Sequence, residues 1–156
     1  MPQNWMLTSA VGTTCTANEP SHHYAYLYDF AGQPSKTQLK VREIAAAEYG
    51  YDAGGLDGDD DCGQMSAWLL FTAMGFYPVN PASGEYMIGS PMHGRMSIRL
   101  QSGKTFRVKA DNVSARNLYI QSATLDEKPL NDPLITWEQI QAGATLEFSL
   151  VGEICG

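Results

Sequence analysis

The segment Phe76-Tyr77-Pro78-Val79-Asn80-Pro81 separates two halves of the chain that differ in hydrophobic period. Before this segment, apolar residues recur at intervals of three and four, as in amphipathic helices. After it, apolar and polar residues alternate, as in half-buried strands. The order predicts an α+β fold. About three helices in residues 1–78 precede an antiparallel β-rich region in residues 79–156.

Three helices are expected before this boundary. The first covers residues 22–30 and stops at Gly32, the second covers residues 36–49, and the third covers about residues 63–74 and stops at Gly75. Glycine directly after a helix is a common stop signal. Aromatic residues are more numerous here than three helices alone would bury. The helical half is therefore expected to belong to a larger helical assembly.

Alternating residues predict the strands of the second half. The expected strands cover residues 85–88, 96–100, 106–110, 118–125 and 145–151. The turn at residues 101–104 is expected to join two of them as a hairpin. Thr136-Trp137-Glu138-Gln139 has the spacing of a capping box and predicts a short helix at residues 137–142.

Composition narrows the class of partner. A net charge of −7 over 156 residues argues against nucleic acid or an anionic membrane as partner, and suits a cation or a neutral polyol. No apolar run approaches the roughly 20 residues that span a bilayer. The N-terminus has neither the basic nor the apolar region of a signal peptide. Cys15, Cys62 and Cys155 lack zinc-site spacing and are expected to be unpaired thiols.

Three adjacent carboxylates precede the third helix, in Gly58-Asp59-Asp60-Asp61-Cys62-Gly63. Such a run is either a solvated loop or a site that binds a metal, handles a proton or grips a hydroxylated ligand. An EF-hand is excluded, because Cys62 and Trp68 stand where that loop needs glycine and glutamate. Two roles stay open. Asp61 could cap the helix, or Asp59 and Asp61 could share one water as a general base.

A second candidate site is Asn18-Glu19-Pro20-Ser21-His22-His23. Amide and carboxylate oxygens are hard ligands that suit calcium. A glutamate at a helix start is equally an ordinary partner of the helix dipole. Adjacent histidines on a helix point about 100° apart and rarely share a zinc ion.

Together these segments resemble one family, the calcium-dependent, inverting exo-α-mannosidases of glycoside hydrolase family ninety-two. A run of motifs in a single order carries the resemblance. Besides the two sites it includes Ala31-Gly32-Gln33-Pro34, Val41-Arg42-Glu43-Ile44, Gly75-Phe76-Tyr77-Pro78-Val79-Asn80-Pro81-Ala82-Ser83-Gly84, Ile88-Gly89-Ser90-Pro91 and Tyr119-Ile120-Gln121-Ser122.

The resemblance implies an N-terminal β-sandwich and a catalytic (α/α)₆ barrel, of which this chain corresponds to the C-terminal part. The three helices would come from the end of the barrel, and the missing sandwich and barrel segments would be partners of the chain. The implied activity is calcium-assisted, inverting removal of terminal α-linked mannose from N-glycans or mannans. The implied location of the intact protein is secreted or periplasmic.

The resemblance also implies roles for single residues. Asn18 and Glu19 would be calcium ligands, and Asp61, with Asp59 as its partner, would be the catalytic base. The family's general acid, a glutamate on an earlier barrel segment, has no counterpart here, so the isolated chain is expected to be inactive. Two alternatives stay open: a non-catalytic carbohydrate-binding or structural β-module, and a chain that pairs with another polypeptide supplying the barrel.

Overall fold

The computed structural model describes residues 19–52, 54–56 and 58–153, and the backbone of residues 10–11 and 14–15. The helices are α1 (Leu27–Phe30), α2 (Pro34–Glu48), α3 (Gln64–Met74) and α4 (Trp137–Ala142). The first strands are β1 (Ala10–Val11), β2 (Thr14–Cys15), β3 (Phe76–Tyr77), β4 (Glu85–Ile88) and β5 (Arg95–Arg99). The others are β6 (Thr105–Asp111), β7 (Tyr119–Leu125), β8 (Lys128–Pro129), β9 (Leu134–Thr136) and β10 (Thr145–Val151).

The α+β order agrees with the change of hydrophobic period. Helices α2 and α3 lie where the 3.6-residue spacing predicts them, and residues 94–125 contain strands and no helix. Gly75 ends α3 in the left-handed conformation, with φ of 93°, which glycine adopts without a Cβ clash. The capping box of α4 is confirmed, because the Gln139 amide N–H donates to Thr136 Oγ1 and the Thr136 N–H donates to Gln139 Oε1.

The prediction of one continuous helix over residues 22–30 is wrong. Residues 19–30 form two 3₁₀ turns, Glu19–Ser21 and Tyr24–Tyr26, followed by the single turn of α1. The His22 carbonyl would accept the N–H of Tyr26 in an α-helix. Instead it accepts the indole N–H of Trp68 at 2.9 Å, and the Tyr26 N–H donates to the His23 carbonyl. A tertiary contact from α3 therefore replaces a helical hydrogen bond.

From Phe76 on, the described residues form two sheets. One has the order β3-β4-β9 and the other the order β5-β6-β10-β7-β8. The hairpin predicted from β5 and β6 is confirmed, with Ile98 opposite Phe106. The expectation of an antiparallel region is wrong at one place, since β10 pairs with β6 in parallel. Parallel pairing needs a long crossover, and the chain from β7 to α4 supplies it before β10 returns beside β6.

Among the residues that the structure describes, two clusters of buried side chains form the core. One cluster includes residues of the larger sheet such as Phe106, Val108 and Leu146. The other joins Tyr26, Val41 and Trp68 of the helical part to Tyr77 and Met87 of β3 and β4. The division at residue 78 stays a prediction, because this second cluster draws on both sides of that residue.

Polar contacts also tie α2 to the β-rich part. The Arg42 guanidinium donates to the carbonyls of Pro91 and Ser114, each at 2.7 Å. One turn earlier on the helix, Gln38 Oε1 accepts the N–H of Ile120 in β7 at 2.9 Å. These bonds orient the helical part, and with it the segments that carry the candidate site, relative to the sheet.

Candidate active site

The acidic loop ends at the N-terminus of α3. Asp61–Gly63 form a 3₁₀ turn in which Cys62 and Gly63 are both left-handed, with φ of 53° and 81°. This conformation suits glycine, whereas for a cysteine it costs about 1–3 kcal/mol and persists only where surrounding contacts hold it. The two residues reverse the chain, so the carboxylates before them fold back over the first turn of the helix.

Asp60 makes the contacts that hold this reversal. Its Oδ1 accepts the backbone N–H of Ser66 at 2.9 Å, and its Oδ2 accepts the Ser66 hydroxyl at 2.6 Å. Hydrogen bonds from the Ser66 side chain and backbone hold the pKa of Asp60 below its usual range. The capping role that the sequence offers to Asp61 is therefore performed by Asp60, because the turn brings Asp60 over the free N–H groups of the helix.

Asp61 points to the other candidate segment. Its carboxyl lies within hydrogen-bonding reach of the Glu19 carboxyl, and this proximity, with the negative charge of Glu19, raises the pKa of Asp61 above its usual range. The charges of Asp59 and Asp60 act in the same direction. Asp59 itself is exposed in the loop. Two segments that are distant in sequence thus place their carboxyl groups side by side.

Helix α3 makes hydrogen bonds to both segments. The buried indole of Trp68 donates to the His22 carbonyl, and the Gln64 side-chain amide contacts His22 Nδ1 at 3.5 Å and the Tyr77 hydroxyl at 3.2 Å. The Trp68 ring in turn stacks on Tyr49, with planes 8° apart and centroids at 5.5 Å. The turn that bears Glu19 is therefore attached to the same helix that anchors the acidic loop.

Of the two predicted calcium ligands, only Glu19 lies among the described residues. Glu19 supplies a carboxylate, and a divalent cation beside it would offset its repulsion with Asp61. Asn18, the other predicted ligand, lies outside the described residues. Within the described ranges, no group of three or more His, Cys, Asp or Glu side chains is arranged around one metal position.

The two histidines after Glu19 lie in different surroundings. The buried His22 ring is tilted against Trp68, and the His23 ring packs edge-on against Tyr24 with centroids 4.8 Å apart. A cavity of about 660 Å³ lies between α2, α3 and residues 92–96, but neither Glu19 nor the three aspartates line it.

Several residues of the site were not found from the sequence. Asp60 and Ser66 meet only because two left-handed residues intervene, and their spacing matches no capping motif. The hydrogen bonds of Gln64 and Trp68 to His22 join positions more than forty residues apart. Their side chains gave a helical pattern in the sequence but no indication of these partners.

Comparison with known proteins places the chain in a family. The model of the glycosyl hydrolase family 92 catalytic domain matches residues 3–152. The chain belongs to glycosyl hydrolase family 92. The α+β structure described above matches part of a solved enzyme of that family.

Two α-mannosidases from Bacteroides thetaiotaomicron share this structure. The family 92 α-mannosidase BT3965, solved with mannoimidazole, is 39% identical with a TM-score of 0.91 over 95% of this chain and 20% of that chain. The inverting mannosidase BT2199 is 39% identical with a TM-score of 0.81 over 88% of this chain and 19% of that chain. The chain therefore spans about a fifth of the length of these enzymes.

A curated fungal relative is similar over most of the chain. An uncharacterised secreted glycosidase of Arthroderma benhamiae is 34% identical over 136 residues, which are 85% of this chain and 18% of that protein. Among the described residues, none of the helices has the length and apolar character needed to cross a membrane.

Proposed function

We propose that the chain is the C-terminal part of a calcium-dependent, inverting exo-α-mannosidase that removes terminal α-linked mannose from N-glycans or mannans. The observation that carries the proposal is the contact between Asp61 and Glu19. The acidic loop and the Glu19 segment are two separate motifs of the family resemblance. Their carboxyl groups lie side by side, as in a common site. The mannosidase activity of two similar solved enzymes supports the choice of sugar.

In this proposal Asp61 is the general base and Asp59 its partner. The base takes a proton from the water that attacks the anomeric carbon, on the face opposite the leaving group. A neighbouring negative charge raises the proton affinity of a carboxylate, and Glu19, Asp59 and Asp60 all act on Asp61 in this direction. With calcium on Glu19, the charges of Asp59 and Asp60 would still have this effect. An inverting glycosidase keeps its acid and base about 6.5–9.5 Å apart to leave room for that water. The acid would come from a segment of the catalytic domain outside this chain.

Calcium would be held by Glu19 and Asn18, with further oxygens from water, sugar hydroxyls or other parts of the protein. The ion takes 6–8 oxygen ligands, and two residues supply only some of them. When bound, calcium supplies a positive charge that can hold sugar hydroxyl oxygens in place. The isolated chain is therefore expected to bind calcium weakly or not at all.

Exposed apolar side chains support the idea that other segments of a larger enzyme pack on this chain. Leu70 of α3 is 58% exposed, Phe30 is 65% exposed, and Tyr51 is fully exposed. Leu70 and Tyr51 line the same cavity between α2 and α3, and contiguous exposed apolar surface marks contacts with another part of a protein. We propose that the family's sandwich and barrel segments cover it and that the intact enzyme is secreted or periplasmic. Alone, the chain is expected to self-associate.

The deciding experiment replaces Asp61 with Asn in the full-length enzyme that contains this chain. Removing a general base typically lowers kcat by about 10²–10⁴-fold, and KM should change far less. Asp132→Asn is the matched control, because it makes the same chemical change at an exposed position in another loop. Release of mannose from an α-mannobioside is measured with calcium present and after a chelator.

Three results would contradict the proposal. Nearly normal turnover by Asp61→Asn would remove Asp61 as the base. Turnover of the intact enzyme that is indifferent to a chelator would argue against calcium. Steady, chelator-sensitive release of mannose by the isolated 156-residue chain would show that the chain is a complete enzyme.

A further inference from the structure

Asp60 is the one member of the acidic run whose two carboxylate oxygens both have protein partners in the described structure. Both partners belong to Ser66, whose N–H and hydroxyl donate at 2.9 and 2.6 Å. The backbone adds a third bond, from the Gly63 N–H to the Asp60 carbonyl at 2.7 Å. Asp60 is thus bonded to both sides of the chain reversal that presents Asp61.

The loop needs such an anchor because little else holds it. Its side chains at residues 58–62 are solvent-exposed, so packing adds little to its order. The carboxylates of Asp59, Asp60 and Asp61 repel one another, and Asp61 also faces the like charge of Glu19. Left-handed Cys62 adds local strain. Repulsion and strain would both move Asp61 away from Glu19 if the loop were released.

We propose that Asp60 is a positioning residue: its two hydrogen bonds to Ser66 hold the loop on α3 so that the Asp61 carboxylate stays at the Glu19 turn. The inference rests on the proposed function, in which Asp61 is the base. In this scheme Asp60 makes its contacts to Ser66 and not to the substrate. Its effect on the reaction passes through the position of Asp61.

The test compares Asp60→Ala, Asp60→Asn and Ser66→Ala in the full-length enzyme, with Asp132→Asn as the control. Misplacing a catalytic group by about 1 Å can lower the rate by about 10²-fold. We expect Asp60→Ala to lower kcat on an α-mannobioside by about 10- to 100-fold while KM changes by less than about threefold. Asp60→Asn should restore most of kcat, because its amide oxygen can still accept the Ser66 N–H and its amide group can donate to the hydroxyl.

A double variant shows whether Asp60 and Ser66 act through the same contact. Ser66→Ala removes the bond at 2.6 Å and leaves the backbone bond, so we expect a loss in kcat of about two- to fivefold. In the Asp60→Ala background the same change should add nothing, because the contact is already absent. Alanine is well tolerated in a helix, so Ser66→Ala is expected to fold.

The outcomes separate this proposal from the proposed function. If Asp61→Asn abolishes turnover while Asp60→Ala keeps kcat within about twofold, Asp60 does not position the base and the proposed function stands. If Asp61→Asn is active, the proposed function fails. If Asp60→Ala does not fold, unchanged kcat in both Ser66→Ala and Asp60→Asn/Ser66→Ala overturns the positioning role. A lowered kcat in these two variants, with normal KM, supports the positioning role of Asp60.

Discussion

Asp29 makes the stability of this chain depend on pH in a direction that can be derived from the structure. The side chain lies in α1 and is only 6% exposed. Neither carboxylate oxygen has a hydrogen bond of regular geometry among the described residues, although the Thr37 hydroxyl lies near. Burial disfavours the charged form and raises the pKa of Asp29 from 3.8 to about 7, and Thr37 offsets part of this rise.

The sign of the pH dependence follows from this rise. Between pH 3.8 and about 7 the folded state holds a proton on Asp29 that the unfolded state has released. The contribution of Asp29 to stability is therefore complete below about pH 4, declines as the pH rises to about 7, and is absent above that pH. Asp29→Asn keeps the shape of the side chain and removes the charge, so it should abolish the decline.

The size of the effect can be bounded. One pKa unit corresponds to about 1.4 kcal/mol, so a rise from 3.8 to about 7 gives an upper limit of about 4 kcal/mol. Relaxation and water penetration reduce the cost of a buried charge, and we expect about 1–3 kcal/mol. At pH 8 Asp29→Asn should exceed the native chain in free energy of unfolding by that amount. At pH 4.5 the two should differ by less than about 1 kcal/mol.

Urea denaturation of the two chains at pH 4.5, 6 and 8, followed by tryptophan fluorescence, measures these differences directly. Asp132→Asn serves as the control, because its side chain is exposed and the change should leave the pH dependence as it is in the native chain. The reasoning is refuted if Asp29→Asn is less stable than the native chain at pH 8. It is also refuted if the difference is the same at all three pH values.

The same denaturation measurement tests three further features of the structure. Tyr26→Phe removes a buried hydrogen bond of 2.9 Å to Thr72 and should lower the free energy of unfolding by about 1 kcal/mol. Thr72→Val should lower it less in the Tyr26→Phe chain than in the native chain, and additive losses would contradict the contact. Thr136→Ala removes the side-chain cap of α4 and should cost about 1 kcal/mol, whereas Thr136→Ser should be nearly neutral. Gly75→Ala should lower the free energy of unfolding by about 1–3 kcal/mol, because φ is 93° and the new Cβ would lie 3.1 Å from Pro91. A neutral effect would contradict the left-handed conformation of Gly75.

Local patterns in the sequence determined most of the elements. Strands β4 and β10 lie at the predicted residues, and α3 begins within a residue of its prediction and ends where predicted, at Gly75. These predictions succeed because period, glycine stops and capping boxes are set by neighbours within a few positions. The two candidate sites were also visible as separate motifs, because runs of carboxylates and oxygen ligands are unusual enough to mark chemistry.

Only the tertiary structure decided how those pieces meet. The indole N–H of Trp68 donates to the His22 carbonyl and so interrupts the helix that residues 22–30 would otherwise form. The parallel pairing of β6 with β10, and the contact of Asp61 with Glu19, join positions about 40 residues apart. The physical reason is common to all three. Each is a long-range contact whose energy depends on the folded geometry, whereas sequence patterns report the preferences of adjacent residues.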